Sequence, residues 1–208
     1  MACAVLADVC PIVEPMKDFN TSEYIRSTWF SQQQQITAYQ KDNSVYCVLQ
    51  TLNTDGGHVP LYDGPVISVY NYANVDVVNG APLNDDNTTL CARQFDKSSP
   101  ANILNAPCFL PNQAAGPYWV LDAGPSTNHY EWAIVSGGPP TEEYEDGCTN
   151  KIDTVKGSGL WLFTRDALDS GNYVELMRQK LLSMGYTLSQ LLSVSHEGCT
   201  YKGAYLKN

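Results

Sequence analysis

Hydrophobic residues along this chain recur in short runs of strand character. Runs rich in Val, Ile, Tyr, Trp and Thr fall at 28–36, 45–52, 66–72, 88–95, 101–106, 118–122, 130–136 and 160–165. Turn residues cluster between them: TDGG at 54–57, NG at 79–80, NDDN at 84–87, AGP at 123–125 and GGPP at 137–140. Many strands at short spacing predict a sandwich or a barrel. One segment keeps a different period. In DSGNYVELMRQKLLSMGY (169–186), Tyr173, Leu176, Met177, Leu181 and Met184 recur at helical spacing. Ser170 or Asn172 is placed to cap its start, with Glu175 at capping-box distance from Asn172, and Gly185 to end it. The order is therefore eight strands, one amphipathic helix and a tail carrying Cys199. The helix stripe needs a surface to cover, most simply the outside of the sheet. No fixed-period repeat and no linker divides the chain. It reads as an irregular arm over 1–22 followed by a unit over 23–208.

One run breaks the pattern. In EYIRSTWFSQQQQI (23–36) four glutamines begin three residues after a tryptophan, although Gln is not a favoured strand residue. Side chains alternate along a strand. If Trp29 points into a core, Ser31, Gln33 and Gln35 do too, while Phe30, Gln32 and Gln34 point out. The other reading ends the strand near Gln33 and leaves the tract as a solvated rim.

Composition narrows the function classes. The 208 residues are 43% hydrophobic and 16% charged, as in a chain that folds around a core. A net charge of −10, from 22 acids against 12 bases with no basic patch, argues against a nucleic-acid partner. No run approaches the length of a transmembrane helix. The opening MACAVLADVC is too short for a full signal peptide, as expected if a longer precursor were trimmed.

Seven cysteines stand at 3, 10, 47, 91, 108, 148 and 199, without a CxxC, and His58, His129 and His196 are scattered. A zinc cluster is thus poorly supported, and neither metal nor cofactor is expected. Spread cysteines in a Gly-, Pro- and Tyr-rich chain fit disulfides in an oxidising compartment; buried free thiols in a cytosolic protein are the competing reading. The odd count leaves one thiol free or bonded to another chain. Asn20-Thr21-Ser22 and Asn87-Thr88-Thr89 are N-glycosylation triplets, meaningful in a secretory pathway.

With these residues in this order, the chain resembles the lipocalin family over about residues 8 to 201. CPIVEPMKDFNTSEYIRSTWF is similar to the opening of lipocalins of the apolipoprotein D and bacterial type, where a cysteine and an arm precede a Gly-x-Trp motif. Here Ser27 stands in place of the glycine and Trp29 matches the tryptophan. VISVYNY (66–72) resembles the third strand, and SSPANILNAPCFLPNQAAGPYWVL (98–121) the fifth and sixth. LWLFTRDALDSGNYVELMRQKLLSMGY (160–186) resembles the last strand, its arginine (Arg165) and the following helix. LDAGPSTNHYEW (121–132) departs from the family's Thr-Asp-Tyr motif and carries extra residues.

The resemblance implies an all-β fold, an eight-stranded antiparallel up-and-down barrel with one C-terminal helix packed outside and a small-molecule site within. It implies that Trp29 and Arg165 stack near the closed end as a structural pair. It pairs Cys47 with Cys199 and Cys10 with Cys148; Cys91 and Cys108, on neighbouring strand regions, are then placed to pair, and Cys3 is left over. Trp161 and Phe163 share a face with Arg165 and should enter the lumen. On the second strand Cys47 points out, so Val48, Gln50 and Leu52 point in. Asn71, Tyr118 and Trp132 match inward positions by alignment. With Gln33 and Gln35 these are the candidate ligand contacts, each aromatic also fitting ordinary core packing.

The function expected is a secreted or otherwise extracytoplasmic carrier of a small lipophilic molecule of retinoid, sterol, bilin or carotenoid type. A structural or accessory subunit, for example of a pigment–protein complex, is the alternative. The arm, the insertions at 79–100 and 137–158 with the acidic TEEYED, and a dimer through Cys3 would serve it, and the thylakoid lumen is then the alternative compartment. An enzyme such as a xanthophyll de-epoxidase is the third reading. Cys47 is committed to a bridge, Asp122 only ends a strand, Glu131 points away if Trp132 points in, and no catalytic residue is assigned.

Overall fold

In the computed structural model, which describes residues 10–83, 89–145 and 147–208, the period-two runs form strands of one closed sheet. In chain order the elements are a one-turn helix α1 (Thr21–Tyr24), β1 (Trp29–Gln34), β2 (Tyr46–Asn53), β3 (Val66–Asn74), β4 (Thr89–Arg93), β5 (Asn102–Pro107), β6 (Gly116–Ser126) and β7 (His129–Ser136). A short hairpin of β8 (Glu142–Tyr144) and β9 (Gly147–Thr149) follows. Then come β10 (Leu160–Thr164), the helix α2 (Tyr173–Ser183) and a two-residue β11 (Leu192–Ser193). β1 to β7 pair in sequence order, β10 joins β7, and β10 also pairs with β1. That last seam closes an eight-stranded antiparallel barrel and leaves no long edge. The eight predicted runs match these eight strands; α1, the β8–β9 hairpin and β11 carry too few residues to show a period. Cys3, the turn at 84–87, Asn87 with Thr88, and the last residue of TEEYED lie outside the described residues.

Among the described residues, register slips break the alternation in four places, including between Tyr46 and Leu49 on β2 and between Val120 and Asp122 on β6, and two of the four turn candidate residues off the expected face. The β1–β10 register pairs Ser31 with Phe163, then Gln33 with Leu162 and Gln34 with Trp161, a slip between Ser31 and Gln33. The β6–β7 register slips between Gly124 and Pro125, where Glu131 is the extra residue between Tyr130 and Trp132. A bulge inserts one residue and turns everything after it to the other face.

The closed end is packed solid. Phe19, Tyr24, Trp29, Leu52, Val69 and Tyr130 form its buried core with inward residues of the other strands. Asn20 starts α1 by accepting from the Glu23 N–H through Oδ1 at 3.2 Å, and its own N–H donates to the Tyr130 hydroxyl at 3.0 Å. The arm thus lays Phe19 and α1 across the barrel floor.

A second core lies outside the barrel. Met177 and Leu181 of α2 are fully buried against Leu160 and Leu162 of β10 and Trp132 and Ile134 of β7. Leu176, expected in the stripe, is 42% exposed, because the buried face narrows to the line through Met177 and Leu181. The helix is also capped differently from expectation. Asn172 has φ of 55° and makes no capping bond; Asp169 accepts from the N–H groups of Tyr173 and Val174 at 2.8 and 3.0 Å. Ser170 bonds to Asp166 instead. At the other end Gly185, φ 82°, takes the left-handed turn that ends the helix.

Three disulfides occur among the described residues: Cys10–Cys148, Cys47–Cys199 and Cys91–Cys108. The second holds the tail against β2 and β3, where Tyr201 and Ala204 cover Leu49 and Tyr72. His196 donates from Nε2 to the Ser31 carbonyl at 2.7 Å and accepts at Nδ1 from the Tyr201 hydroxyl at 2.8 Å. Burial lowers its pKa from the ordinary histidine value.

Candidate ligand-binding cavity

Strands that start or end away from Trp29 surround a cavity of about 420 Å3. Its wall is mainly apolar: Val48, Ala73, Leu90, Tyr118, Trp161 and Phe163 all reach it. Loops at the opposite end from the floor complete it, through Tyr39, Leu110 and Val155 among others. The size suits one small molecule, since ligand cavities commonly span about 300–1,000 Å3.

The floor is built on Trp29, which is fully buried and donates from Nε1 to the Tyr24 carbonyl at 2.9 Å. The Arg165 guanidinium lies over its indole ring, 3.4 Å from the centroid. Arg165 donates to the carbonyls of Ser27, Thr28 (3.3 Å), Glu23 (3.0 Å), Tyr24 (2.9 Å) and Tyr130 (3.2 Å). Burial, with the neighbouring Arg26 charge, pushes its pKa down to about 9, so it stays charged at neutral pH. Five carbonyls and an indole face replace its water shell. Its position beneath the floor ties α1, β1 and β7 to β10.

Above the floor runs one chain of polar contacts. The Tyr24 and Tyr118 hydroxyls are 2.6 Å apart. Tyr118 donates to Gln50 Oε1 at 2.6 Å, and Gln50 Nε2 donates to Asn71 Oδ1 at 3.0 Å. Burial raises both phenols far above their ordinary values, so both keep their protons. Asn105 lines the cavity from β5, its Oδ1 buried in the wall with no partner among the described residues.

The mouth is crossed by loops tied to one another. Lys41 pairs with Asp153, the Ala38 N–H donates to the Thr154 carbonyl at 3.3 Å, and Lys156 Nζ donates to the Gln113 carbonyl at 3.0 Å. Tyr39 projects between them. It is 56% exposed and lines the cavity. Gln35 fixes the rear of this rim: it is 1% exposed, donates to Thr149 Oγ1 at 3.0 Å and the Asn150 carbonyl at 3.2 Å, and accepts from the Gly159 N–H.

The structure brings Val48, Gln50, Asn71, Tyr118, Trp161 and Phe163 to the cavity wall. Four other candidates lie elsewhere. Gln33, beyond the β1 bulge, faces out and accepts from Arg178 of α2 at 3.0 Å. Gln35 lies past the strand end and holds loops. Leu52 is on the inward face but one step too deep, within the packed floor. Trp132, turned outward by the bulge at Glu131, packs under α2 with Lys180 Nζ 5.2 Å from its ring centroid. Across the β1–β10 seam Gln34, expected outside, pairs with Trp161 on the inward side. Asn105 was legible, since it shares the strand face of Ile103. Tyr39, Leu110 and Val155 sit in loops, where no period marks a wall residue.

No family model matches the sequence, and no curated protein does. Solved structures do match. Lobster apocrustacyanin A1 superposes with a TM-score of 0.56 at 13% identity, over 96% of this chain and 97% of that one. Insecticyanin from the tobacco hornworm Manduca sexta gives 0.54 at 18% identity, over 91% and 88%. The allergen Per a 4 from cockroaches gives 0.53 at 12% identity, over 95% and 99%. The likeness is one of fold: the chain has the lipocalin barrel with its C-terminal helix.

Proposed function

We propose that this protein carries a small lipophilic molecule in the barrel. The observation that supports this most is the cavity of about 420 Å3, apolar on most sides, above a floor filled by side chains. A ligand hiding about 300 Å2 of apolar surface gains roughly 7 kcal/mol gross at 25 cal/mol per Å2. Association costs then leave an affinity near micromolar or somewhat tighter. In this reading Val48, Trp161 and Phe163 supply apolar contact, and Gln50, Asn71 and Tyr118 orient the ligand. Flat or polyene molecules such as retinoids, sterols, bilins or carotenoids fit aromatic walls of this kind. The disulfides Cys10–Cys148 and Cys47–Cys199 support kinship with lipocalins of the apolipoprotein D type. Three disulfides fit an oxidising compartment, and secretion accounts for that.

Native mass spectrometry of protein purified from its own source tests the proposal. A bound mass of a few hundred daltons, released by organic solvent, is the expected result. Protein that carries no such mass and takes up no apolar dye defeats it. The same spectrum reads any covalent dimer through Cys3, the cysteine left after three pairs have formed.

A further inference from the structure

The polar chain above the floor has a direction. Gln50 Oε1 can only accept, so Tyr118 donates to it, and Tyr118 must in turn accept from Tyr24. With the Gln50 amide the other way round, Tyr118 would donate to Tyr24. The buried Tyr24 hydroxyl would then have no acceptor among the described residues, a costly arrangement. The order Tyr24 to Tyr118 to Gln50 to Asn71 is therefore fixed from its buried end. It spends Asn71 Oδ1 as the acceptor for Gln50 and leaves the Asn71 NH2, without a described protein acceptor, on a residue that lines the cavity. Asn105 also lines the cavity, but its Oδ1 is buried without a partner among the described residues, so no contact fixes which edge of its amide meets a ligand. Lys156, at the mouth, is the one charged residue among those lining the cavity.

From this we infer that the lumen selects an uncharged lipophile bearing a hydrogen-bond acceptor, a ketone or similar carbonyl, which Asn71 recognises through its side-chain N–H group. An alcohol at the same place must also find an acceptor for its own proton, and Asn71 Oδ1 is already engaged by Gln50. A carboxylate beside Asn71 must shed its water there, since the one cation that lines the cavity, Lys156, sits at the mouth. The inference rests on the carrier reading and specifies its ligand class.

Displacement of N-phenyl-1-naphthylamine, a neutral fluorescent dye, tests both and separates them. β-Ionone and β-ionol differ only in one oxygen function, and farnesoic acid supplies the carboxylate. Wild-type protein should bind β-ionone about three- to tenfold tighter than β-ionol, the span of one hydrogen bond, and farnesoic acid weakest. Asn71→Leu should bring the ketone and the alcohol to near parity while still taking up the dye. Should that variant fail to fold, Asn71→Ser, which both donates and accepts, should narrow the ratio. Equal or tighter binding of β-ionol by wild type, with the dye displaced by both, overturns this inference and leaves the carrier reading intact. Failure of wild type to take up the dye overturns the carrier reading and this inference with it.

Discussion

Gln34 stands opposite Trp161 across the seam that closes the barrel, whereas its neighbour Gln33 stands opposite Leu162 on the outer face. The bulge after Ser31 divides the glutamine tract among three tasks. Gln33 meets the helix, Gln34 faces inward, and Gln35 holds the loops of the rim. Its polarity is thus spent on different neighbours, which is why a run of poor strand formers is tolerated in a barrel strand.

Two substitutions test that division. Gln34 Oε1 is buried without a partner among the described residues, so Gln34→Leu should leave stability unchanged or raise it by about 1 kcal/mol. Gln35→Leu orphans Thr149, the Asn150 carbonyl and the Gly159 N–H, and should cost about 2–4 kcal/mol. Urea midpoints of the two variants decide it; a reversed order would mean that the register is wrong.

Arg165 serves the floor through fork geometry as well as charge. An ammonium has three donors at one point and cannot reach five carbonyls on three elements. Arg165→Lys should therefore destabilise by about 2–3 kcal/mol even though the charge is kept. Equilibrium unfolding followed by tryptophan fluorescence would show it.

His196 gives stability a pH dependence with a definite sign. In the unfolded chain it takes up a proton near pH 6.5; in the folded protein burial holds its pKa lower. As pH falls from about 6.5 to the folded value, the unfolded state binds more protons and the folded state loses stability. Below the folded value this loss stops. Asp166, lowered from 3.8 first by its bond to Ser170, acts only in a more acidic window. His196→Gln should flatten the slope of unfolding free energy between pH 7 and 5 and leave the slope below pH 4.

The Cys47–Cys199 bridge spans a sequence separation of 152 residues. In the chain-entropy model such a closure stabilises by about 5 kcal/mol. Replacing both cysteines by alanine should lower the urea midpoint accordingly. It should also expose the tail beyond His196 to proteolysis before the barrel itself is cut. A midpoint that stays put would show that the tail adheres by packing alone.

What the sequence revealed and what it hid separates along one line. Trp161 and Phe163 were placed correctly because β10 runs without a slip and its inward face can be counted from Arg165. Counting failed for Gln33 because one extra residue in β1 reverses parity without leaving a mark in composition, and alignment failed for Trp132 because it does not carry the extra residue at Glu131. Leu52 shows a different limit, since alternation names a face and says nothing of depth. Tyr39 and Val155 lay beyond reach for a third reason: their positions are set by loop-to-loop bonds such as Ala38 to Thr154, which no local pattern encodes. Cys47–Cys199 and Cys10–Cys148 came from family resemblance, since spacing alone permits many pairings among seven cysteines, and Cys91–Cys108 from the two cysteines then left on neighbouring strand regions.

Loops sewn to one another over the entrance bear on timing more than on affinity. If a ligand passes between these loops, having to part the Lys41–Asp153 and Lys156–Gln113 contacts would slow its entry and escape together while leaving the equilibrium nearly alone. Raised salt, which screens the exposed Lys41–Asp153 pair, should then quicken exchange in both directions. The cargo's residence time would be set at the doorway, by residues that contribute little to holding it.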